Sequence, residues 1–368
     1  MPPVYVAILA YNDRTYLPQF LSSILATNYP NLVVWVIDNG SAPPLRALFE
    51  APYSEAIRAG RLRLLRYEEN TGYAGGYQRF FTEHGVDVPY LVLLNSDVEV
   101  TPDWLAPLIQ RLEADPQLAA IQPKIRAYHQ RDYFEYAGGA GGLMDPWGYP
   151  TCRERRGFSM ERDEGQYDDP IPIFWASGAA FVVRTAAVQE ALRGLLFKSH
   201  YFMHMEEIDL CWRLQRAGYA IGYEPQSLVY HVGGASLSQS HPQKTFYNFR
   251  NNLYLLAENL HPAERWLIFW RLVLDGVAGI YFLLSGRGRR TWAIIRAHGG
   301  FYRAWGRGAL RRERFLPFLP RRALRGLTHT PTLLKLLRAD RRARLRALDS
   351  MSAFFFYLCP LNLNHMSV

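Results

Sequence analysis

The sequence predicts an α/β protein built on a mostly parallel central sheet, followed by a helical and strongly basic C-terminal region. Three observations predict it. Apolar runs without alternation recur at 4–10, 32–37 and 90–95, a further strand reads at 61–67, and stretches with helical spacing separate them. Runs of that kind read as strands buried on both faces, and their alternation with helices makes βαβ units and parallel pairing. Each run ends abruptly in polar residues: Tyr11-Asn12-Asp13, Asp38-Asn39-Gly40-Ser41, Glu69-Asn70-Thr71 and Asn95-Ser96-Asp97. From Phe246 onward the strand pattern stops and arginine accumulates.

The chain of 368 residues is ample for one large domain or two ordinary ones. The reading is a domain at 1–245 and a helical, basic, amphipathic region at 246–368. Charge divides along the same line. Between Ser285 and Ala347, 18 Lys and Arg stand against Glu313 and Asp340, so this stretch carries +16 of a total of +9 and the rest carries −7. Such a region meets nucleic acid, an anionic membrane, or nothing. Cys152, Cys211 and Cys359 show no metal-ligand spacing and no disulfide framework, which fits a reducing compartment. Val4 to Leu9 is too short for a signal-peptide core, so no classical export signal is expected.

The first strand, Val4 to Ala10, leads to a helix with Leu17, Phe20, Leu21, Ile24 and Leu25 on one face. The second, Leu32 to Ile37, stops at Asp38, and a helix through Leu45, Leu48 and Phe49 is expected next. The third, Arg61 to Tyr67, is followed by Asn70-Thr71-Gly72-Tyr73-Ala74-Gly75-Gly76, read as a loop whose backbone approaches a ligand closely. A tight turn needing φ > 0 explains the same glycines equally well. Tyr90 to Asn95 is the fourth strand, and ligands in open α/β sheets bind just beyond such carboxyl ends. Ser96 and Asp97 therefore stand where chemistry is placed. A helix over Trp104 to Leu112 and a strand over Ala119 to Ile125 follow. The stretch from Arg126 to Pro170 is irregular, as functional lids and mobile loops both are. Trp175-Ala176-Ser177-Gly178-Ala179 precedes another buried strand and makes a floor for a substrate, or simple close packing.

A second chemical stretch runs from Tyr201 to Leu214. Leu210, Leu214 and Ala217 share a helical face, with Gly218 as the stop, and Glu206, Glu207 and Asp209 fall in the first turn. Acids there stabilise a helix by only about 0.3–1 kcal/mol each. A carboxylate crowded by others and partly buried has a raised pKa and can take a proton from a hydroxyl. His231, before Val232-Gly233-Gly234, is a packed histidine or, paired with a carboxylate at another strand tip, a metal ligand.

This ordered set resembles the inverting, GT-A-fold glycosyltransferases of family 2, in their rhamnosyltransferase-like branch. The resemblance spans about 1–255. It is carried by Tyr11-Asn12, the Asp38 tip, the Asn70 to Gly76 segment, Asn95-Ser96-Asp97-Val98-Glu99, Ser177-Gly178-Ala179, Glu206-Glu207-Ile208-Asp209-Leu210-Cys211-Trp212-Arg213 and Tyr230-His231-Val232-Gly233-Gly234-Ala235-Ser236. It implies a GT-A (nucleotide-diphospho-sugar transferase) fold, with Asn12, Asp38, Asn70, Gly72, Gly75, Ser96 and Asp97 around a dTDP- or UDP-sugar. Trp175, Gly178, Ala179, Glu206 and Asp209 would line the donor and acceptor floor. Asp97 and His231 would hold Mg²⁺ or Mn²⁺, and Glu207 would be the catalytic base. Two residues depart from the family pattern: Asn95 replaces the first acid of the Asp-x-Asp element, and Glu207 stands where Asp is commoner.

Trp266 to Leu284 is the most apolar part of the chain, yet it holds Arg271 and Asp275. A spanning helix needs about 20 apolar residues with few or no charges, so an interfacial or core helix is expected. The resulting expectation is a cytoplasmic, non-processive transferase, peripheral to the inner face of the membrane. Its partners would be a nucleotide sugar, a glycan or lipid-linked acceptor in cell-envelope polysaccharide synthesis and an anionic membrane surface, with an oligomer allowed and rhamnose the preferred sugar. The Gln-x-x-Arg-Trp element of processive synthases is absent; Ala263-Glu264-Arg265-Trp266 only approaches it. Two other readings stand beside it: an inactive nucleotide-sugar-binding scaffold of a membrane glycan-assembly complex, and an arginine-driven nucleic-acid binder, for which no recognition motif is present.

Overall fold

The computed structural model describes residues 1–156, 159–233, 242–313, 315–317 and 324–328. Gly234-Ala235-Ser236, Cys359 and most of the basic stretch beyond Arg312 lie outside the described residues.

The elements run β1 (Val4–Ala10), α1 (Tyr16–Leu25), β2 (Leu32–Asn39), α2 (Ser54–Arg58), β3 (Leu62–Tyr67), α3 (Gly72–Glu83), β4 (Tyr90–Asn95), β5 (Val98–Val100), α4 (Leu105–Ala114) and β6 (Leu118–Ala127). Short strands follow: β7 (Gly142–Met144), β8 (Pro150–Cys152), β9 (Arg155–Arg156), β10 (Ser159–Met160) and β11 (Pro172–Ile173). Then come β12 (Ala180–Arg184), α5 (Thr185–Leu192), α6 (Glu206–Arg216), β13 (Ala220–His231), α7 (Pro242–Asn259), α8 (Trp266–Leu284) and α9 (Gly288–Gly306).

The main sheet has the order β11-β13-β6-β12-β4-β1-β2-β3, with β5 paired to β13. β3, β2, β1 and β4 are parallel, β12 runs antiparallel between β4 and β6, and β13 is again parallel to β6. Apolar runs bury both faces, as a covered parallel sheet requires. One core cluster joins Val6, Ile8, Val34, Val92, Leu94 and Val182 to Leu17 and Leu21 of α1 and Leu105, Leu108 and Leu112 of α4.

Two local expectations are corrected. No helix runs through Leu45, Leu48 and Phe49; a single 3-10 turn at Arg46–Leu48 and the short α2 stand there instead. Pro43, Pro44 and Pro52 crowd that segment, and proline removes donors that a continuous helix needs. The glycine segment is not a loop either. Gly72, Gly75 and Gly76 lie in the first turns of α3, all buried. A Cβ on Gly76 would come within 2.8 Å of Leu9, and one on Gly75 within 2.8 Å of Thr71. Close packing against β1 and its own N-cap explains these two glycines.

The chain divides into two compact units, and the division is interleaved. The first comprises 1–142, 152–154 and 160–236; the second takes 143–151, 155–159 and the chain from 237. Within the second unit, α7 buries Phe249, Leu253 and Leu256 at helical spacing, with Leu260 just beyond it. α8 turns Arg271 and Asp275 inward, both almost fully buried. Arg271 Nε donates to Asp275 Oδ1 at 2.7 Å and its NH1 donates to Asn252 Oδ1 at 2.7 Å, while the guanidinium sits 4.1 Å from the Tyr149 ring. His298 of α9 meets the other oxygen of Asp275 at 3.2 Å. The charges that made this helix an unusual span therefore form a buried ion pair inside the second unit, although one guanidinium nitrogen of Arg271 has no hydrogen-bond partner.

Candidate active site

The site collects at the carboxyl ends of β1, β2 and β4 in the first unit. Asp97 sits in the turn between β4 and β5. β5 pairs with the end of β13, placing His231 opposite Val98, and the Val232 amide donates to the Asp97 carbonyl at 3.0 Å. Asp97 Oδ1 and His231 Nε2 are 3.2 Å apart. The other ring nitrogen of His231 faces Glu135 at 3.6 Å. Glu135 is a buried residue of the irregular stretch that motif reading did not single out. Burial alone would lower the His231 pKa, but the two carboxylates raise it to about 10. Burial would raise that of Asp97, and the imidazolium instead holds it below the usual carboxylate range.

Whether these residues suit a divalent cation turns on their donor chemistry. One carboxylate and one imidazole converge, and among the described residues no group of three His, Cys, Asp or Glu side chains forms a complete cage. Mg²⁺ at phosphate sites is held by one or two carboxylates together with substrate phosphates, so a two-ligand protein site suits an ion completed by a diphosphate. Glu135 would fix the ring of His231, as carboxylates behind metal-bound histidines do.

Around the positions expected to meet a nucleotide, the loops hold one another. Asn12, at φ +56°, donates its N–H to Ser41 Oγ at 2.8 Å and accepts from the Ala42 amide at 3.0 Å. Asn70 Oδ1 accepts from the Gly72 amide at 2.9 Å and from Asn39 at 3.1 Å. Gly72 has φ +74°, and a Cβ there would sit 2.4 Å from the Phe202 carbonyl oxygen. Here glycine is required outright.

Asp38, expected beside the nucleotide, has both carboxylate oxygens already engaged. It is buried, with Oδ1 accepting from the Ser41 amide at 2.8 Å and Oδ2 from the Leu45 amide at 2.9 Å and Arg66 at 2.7 Å. Burial would raise its pKa; these hydrogen bonds outweigh that and lower it. It organises the loop after β2. Ser96 is a half-buried turn residue beside Asp97.

The second half of the site is built on α6. Glu206 is buried and Glu207 half-buried at its N-terminus, each with one carboxylate oxygen lacking a hydrogen-bond partner. Burial pushes both pKa values up, Glu207 to about 7, and for Glu206 the neighbouring Glu207 adds to the rise. Gly178 faces this pair: a Cβ on it would lie 3.7 Å from the Glu207 carboxyl carbon and 3.5 Å from the Tyr73 hydroxyl. Tyr73 donates to the Gly178 carbonyl at 2.7 Å. Next along, the Ala179 carbonyl accepts from the Asn95 amide at 2.9 Å, two residues before Asp97. The metal-type and base-type carboxylates are thus linked through one short floor.

Two floor residues are corrected. Asp209 is fully buried and locked to Arg213 Nε at 2.7 Å and to Lys198 at 3.6 Å. It neutralises a core arginine and offers nothing to a ligand. Trp175 is packed over Gly138 and Gly142, where any Cβ would collide with its ring, so it supports the floor from beneath.

A mostly parallel sheet with opposed carboxylate clusters at its carboxyl edge defines a GT-A-like glycosyltransferase. The model of the family described as "Glycosyl transferase family 2" matches residues 5–188, and the chain belongs to that family. It is similar to an "N-acetylglucosaminyl-diphospho-decaprenol L-rhamnosyltransferase" of Mycobacterium tuberculosis, 28% identical over 287 residues, covering 73% of this chain and 87% of that protein. A "Pre-mycofactocin glycosyltransferase" of the same organism is 27% identical over 239 residues, 61% of this chain and 42% of that one. Among solved structures, a mannosyltransferase from Pyrobaculum calidifontis in complex with GDP-Man and Mn²⁺ aligns with a TM-score of 0.55 at 14% identity, covering 97% of this chain and 85% of that one. GalNAc-T7 with UDP, GalNAc and Mn²⁺ aligns with a TM-score of 0.51 at 16% identity over 71% of this chain, which spans about half of that protein's length. At these identities the structural likeness shows the fold alone.

Proposed function

We propose that the protein is an inverting, non-processive glycosyltransferase that moves rhamnose from dTDP-rhamnose, or a related sugar from a UDP donor, to a lipid-linked glycan acceptor. The work would be done at the cytoplasmic face of the membrane. The observation that carries the reading is the pairing of Asp97–His231 with Glu207 across the Gly178 floor. The decaprenol-linked acceptor in the name of the M. tuberculosis relative supports the choice of acceptor class.

The reaction is a single displacement. Glu207, whose raised pKa makes it a competent base near neutral pH, takes the proton of the acceptor hydroxyl. The acceptor oxygen bonds to the anomeric carbon from the face opposite the leaving group, and the bond from that carbon to the diphosphate oxygen breaks. The nucleoside diphosphate departs with the electron pair. Asp97 and His231 would hold the divalent cation, which when bound offsets the negative charge of the leaving diphosphate. Glu135, 3.6 Å from the other ring nitrogen, would support His231 by its charge. The Gly178 floor gives the sugar room against Glu207, and positioning accounts for much of the rate.

Asn95, in place of the first acid of the metal element, favours a second reading as an inactive, nucleotide-sugar-binding scaffold. Release of nucleoside diphosphate from a panel of nucleotide sugars, with Mg²⁺ or Mn²⁺ and with a chelator, separates the two. Donor-selective, metal-dependent release that Asp97→Ala abolishes supports the transferase. Tight nucleotide binding without turnover in the presence of acceptor supports the scaffold.

A further inference from the structure

Among the described residues, large apolar side chains left open to solvent are concentrated in one place. Of the 17 exposed ones, 12 belong to α8 and α9. On α8 they are spaced three and four apart, through Trp266, Phe269, Val273, Val277, Ile280 and Leu284, and form one continuous stripe. On α9, Trp292, Ile295 and Tyr302 repeat the pattern. No acidic residue occurs between Gly276 and Arg312, while eight arginines do. Between the start of α7 and α9 lies a groove of about 710 Å³, walled by Phe246, Tyr247 and Trp292 and edged by Arg289 and Arg296. Arg296 stacks over Phe246 at 5.4 Å, and neither arginine has a carboxylate partner among the described residues.

We propose that these outward faces of α8 and α9, with the arginine-edged groove, form a surface on which the chain lies flat on an anionic phospholipid bilayer. The inference gives the membrane-side reading a definite surface, and it rests on the C-terminal helices alone, so it stands or falls separately from the transferase chemistry. The occupant is chosen by charge and shape together. An apolar stripe bordered by tryptophan, tyrosine and unpaired arginine matches the level where acyl chains meet phosphate headgroups. A second copy of the same face would bring the exposed, carboxylate-free Arg289 and Arg296 against their own copies, which opposes dimerisation through it. Crossing the bilayer is also disfavoured. Residues 262–284 are apolar enough in length and composition, but 39% of their most apolar 18-residue window is buried inside the protein. Its buried side carries Arg271 and Asp275, held by Asn252, Tyr149 and His298. A helix surrounded by lipid would lose those partners and strand both charges in hydrocarbon.

The test is co-sedimentation of the full chain with phosphatidylcholine vesicles and with vesicles also containing phosphatidylglycerol, at low and high salt. Phe269→Glu/Ile280→Glu removes the stripe, and Arg289→Glu/Arg296→Glu inverts the groove. These four residues are exposed, so circular dichroism and thermal unfolding should match wild type; metal-dependent donor hydrolysis in solution reports the transferase chemistry separately. Wild type should bind the anionic vesicles in a salt-sensitive way with a blue shift of tryptophan emission. Each double variant should weaken that binding by roughly tenfold or more. Variants that bind as wild type does, equal binding to neutral vesicles, retention after alkaline carbonate extraction, or a lipid-independent dimer abolished by the same changes would each overturn the proposal.

Discussion

Glu207→Gln is the sharpest perturbation the site offers. The side chain keeps its shape and its place at the N-terminus of α6, beside Gly178 and near Tyr73, but cannot accept a proton. General-base catalysis contributes about 10²–10⁴ in rate, so kcat should fall by that factor, about 3–5 kcal/mol in barrier height. Donor binding should hold, because Asp97, His231 and the Asn12–Ser41 loop are untouched. Stability gives an independent control with a defined sign. Burial raises the Glu207 pKa from 4.5 to about 7, so the folded state binds more protons than the unfolded chain across that interval. Its contribution is therefore fully present below pH 4.5 and is lost as the pH rises through 7. At pH 8 the neutral amide should leave the protein at least as stable as wild type. The assay is initial-rate release of nucleoside diphosphate at saturating donor with an acceptor present, beside nucleotide titration and thermal unfolding. A variant that stays folded, binds nucleotide and retains kcat within about threefold of wild type would refute Glu207 as the base.

The same chemistry predicts that kcat/KM rises with pH along a limb centred near 7, a limb that belongs to the Glu206–Glu207 pair jointly and is missing from Glu207→Gln; a flat wild-type profile from pH 5.5 to 8.5 would count against it. Glu135→Ala should weaken Mn²⁺ affinity about 10–100-fold when measured by electron paramagnetic resonance with nucleoside diphosphate bound, and saturating Mn²⁺ should restore much of the rate. Unchanged affinity would mean that Glu135 does not support His231. In the second unit, Arg271→Met should cost about 3–5 kcal/mol in denaturant unfolding because it strands buried Asp275, whereas Arg271→Met/Asp275→Leu should cost clearly less. Equal losses would show that the pair acts through packing alone.

What was legible in the sequence had local causes. β1, β2 and β4 announced themselves as apolar runs ending in polar residues, and the buried stripe of α7 followed from Phe249, Leu253 and Leu256. The places of Asp97 and His231 at strand ends and of Glu207 in a first helical turn were legible, and the structure brings the first two within 3.2 Å and sets the third, half-buried, beside Glu206. The misses had non-local causes. Glu135 gave no signal, since its meeting with His231 joins residues 96 positions apart through an irregular segment. Asp209 looked like one of three site acids; the arginine one turn later, with carbonyls of Leu195 and Leu196 on its other nitrogens, takes it into the core. Gly75 and Gly76 read as ligand-approach positions because closeness to Leu9 and Thr71 is a tertiary fact. The proline-interrupted segment after β2 kept an apolar spacing that its backbone could not turn into a helix.

The interleaving of the two units has a consequence for how the molecule is made. Residues 143–151 emerge from the ribosome roughly in mid-sequence, yet the side chains they pack with arrive about a hundred residues later. Gly148 lies against Leu256, and the ring of Tyr149 waits for Arg271. The first unit has its last strand, β13, before α7 exists, so during synthesis it holds an unfinished loop with an aromatic residue uncovered. Chains fold from the N-terminus as they are made, which makes this loop the late-closing seam of the nascent protein. A polypeptide stopped after β13 would leave Gly148 and Tyr149 without Leu256 and Arg271, the side chains that meet them.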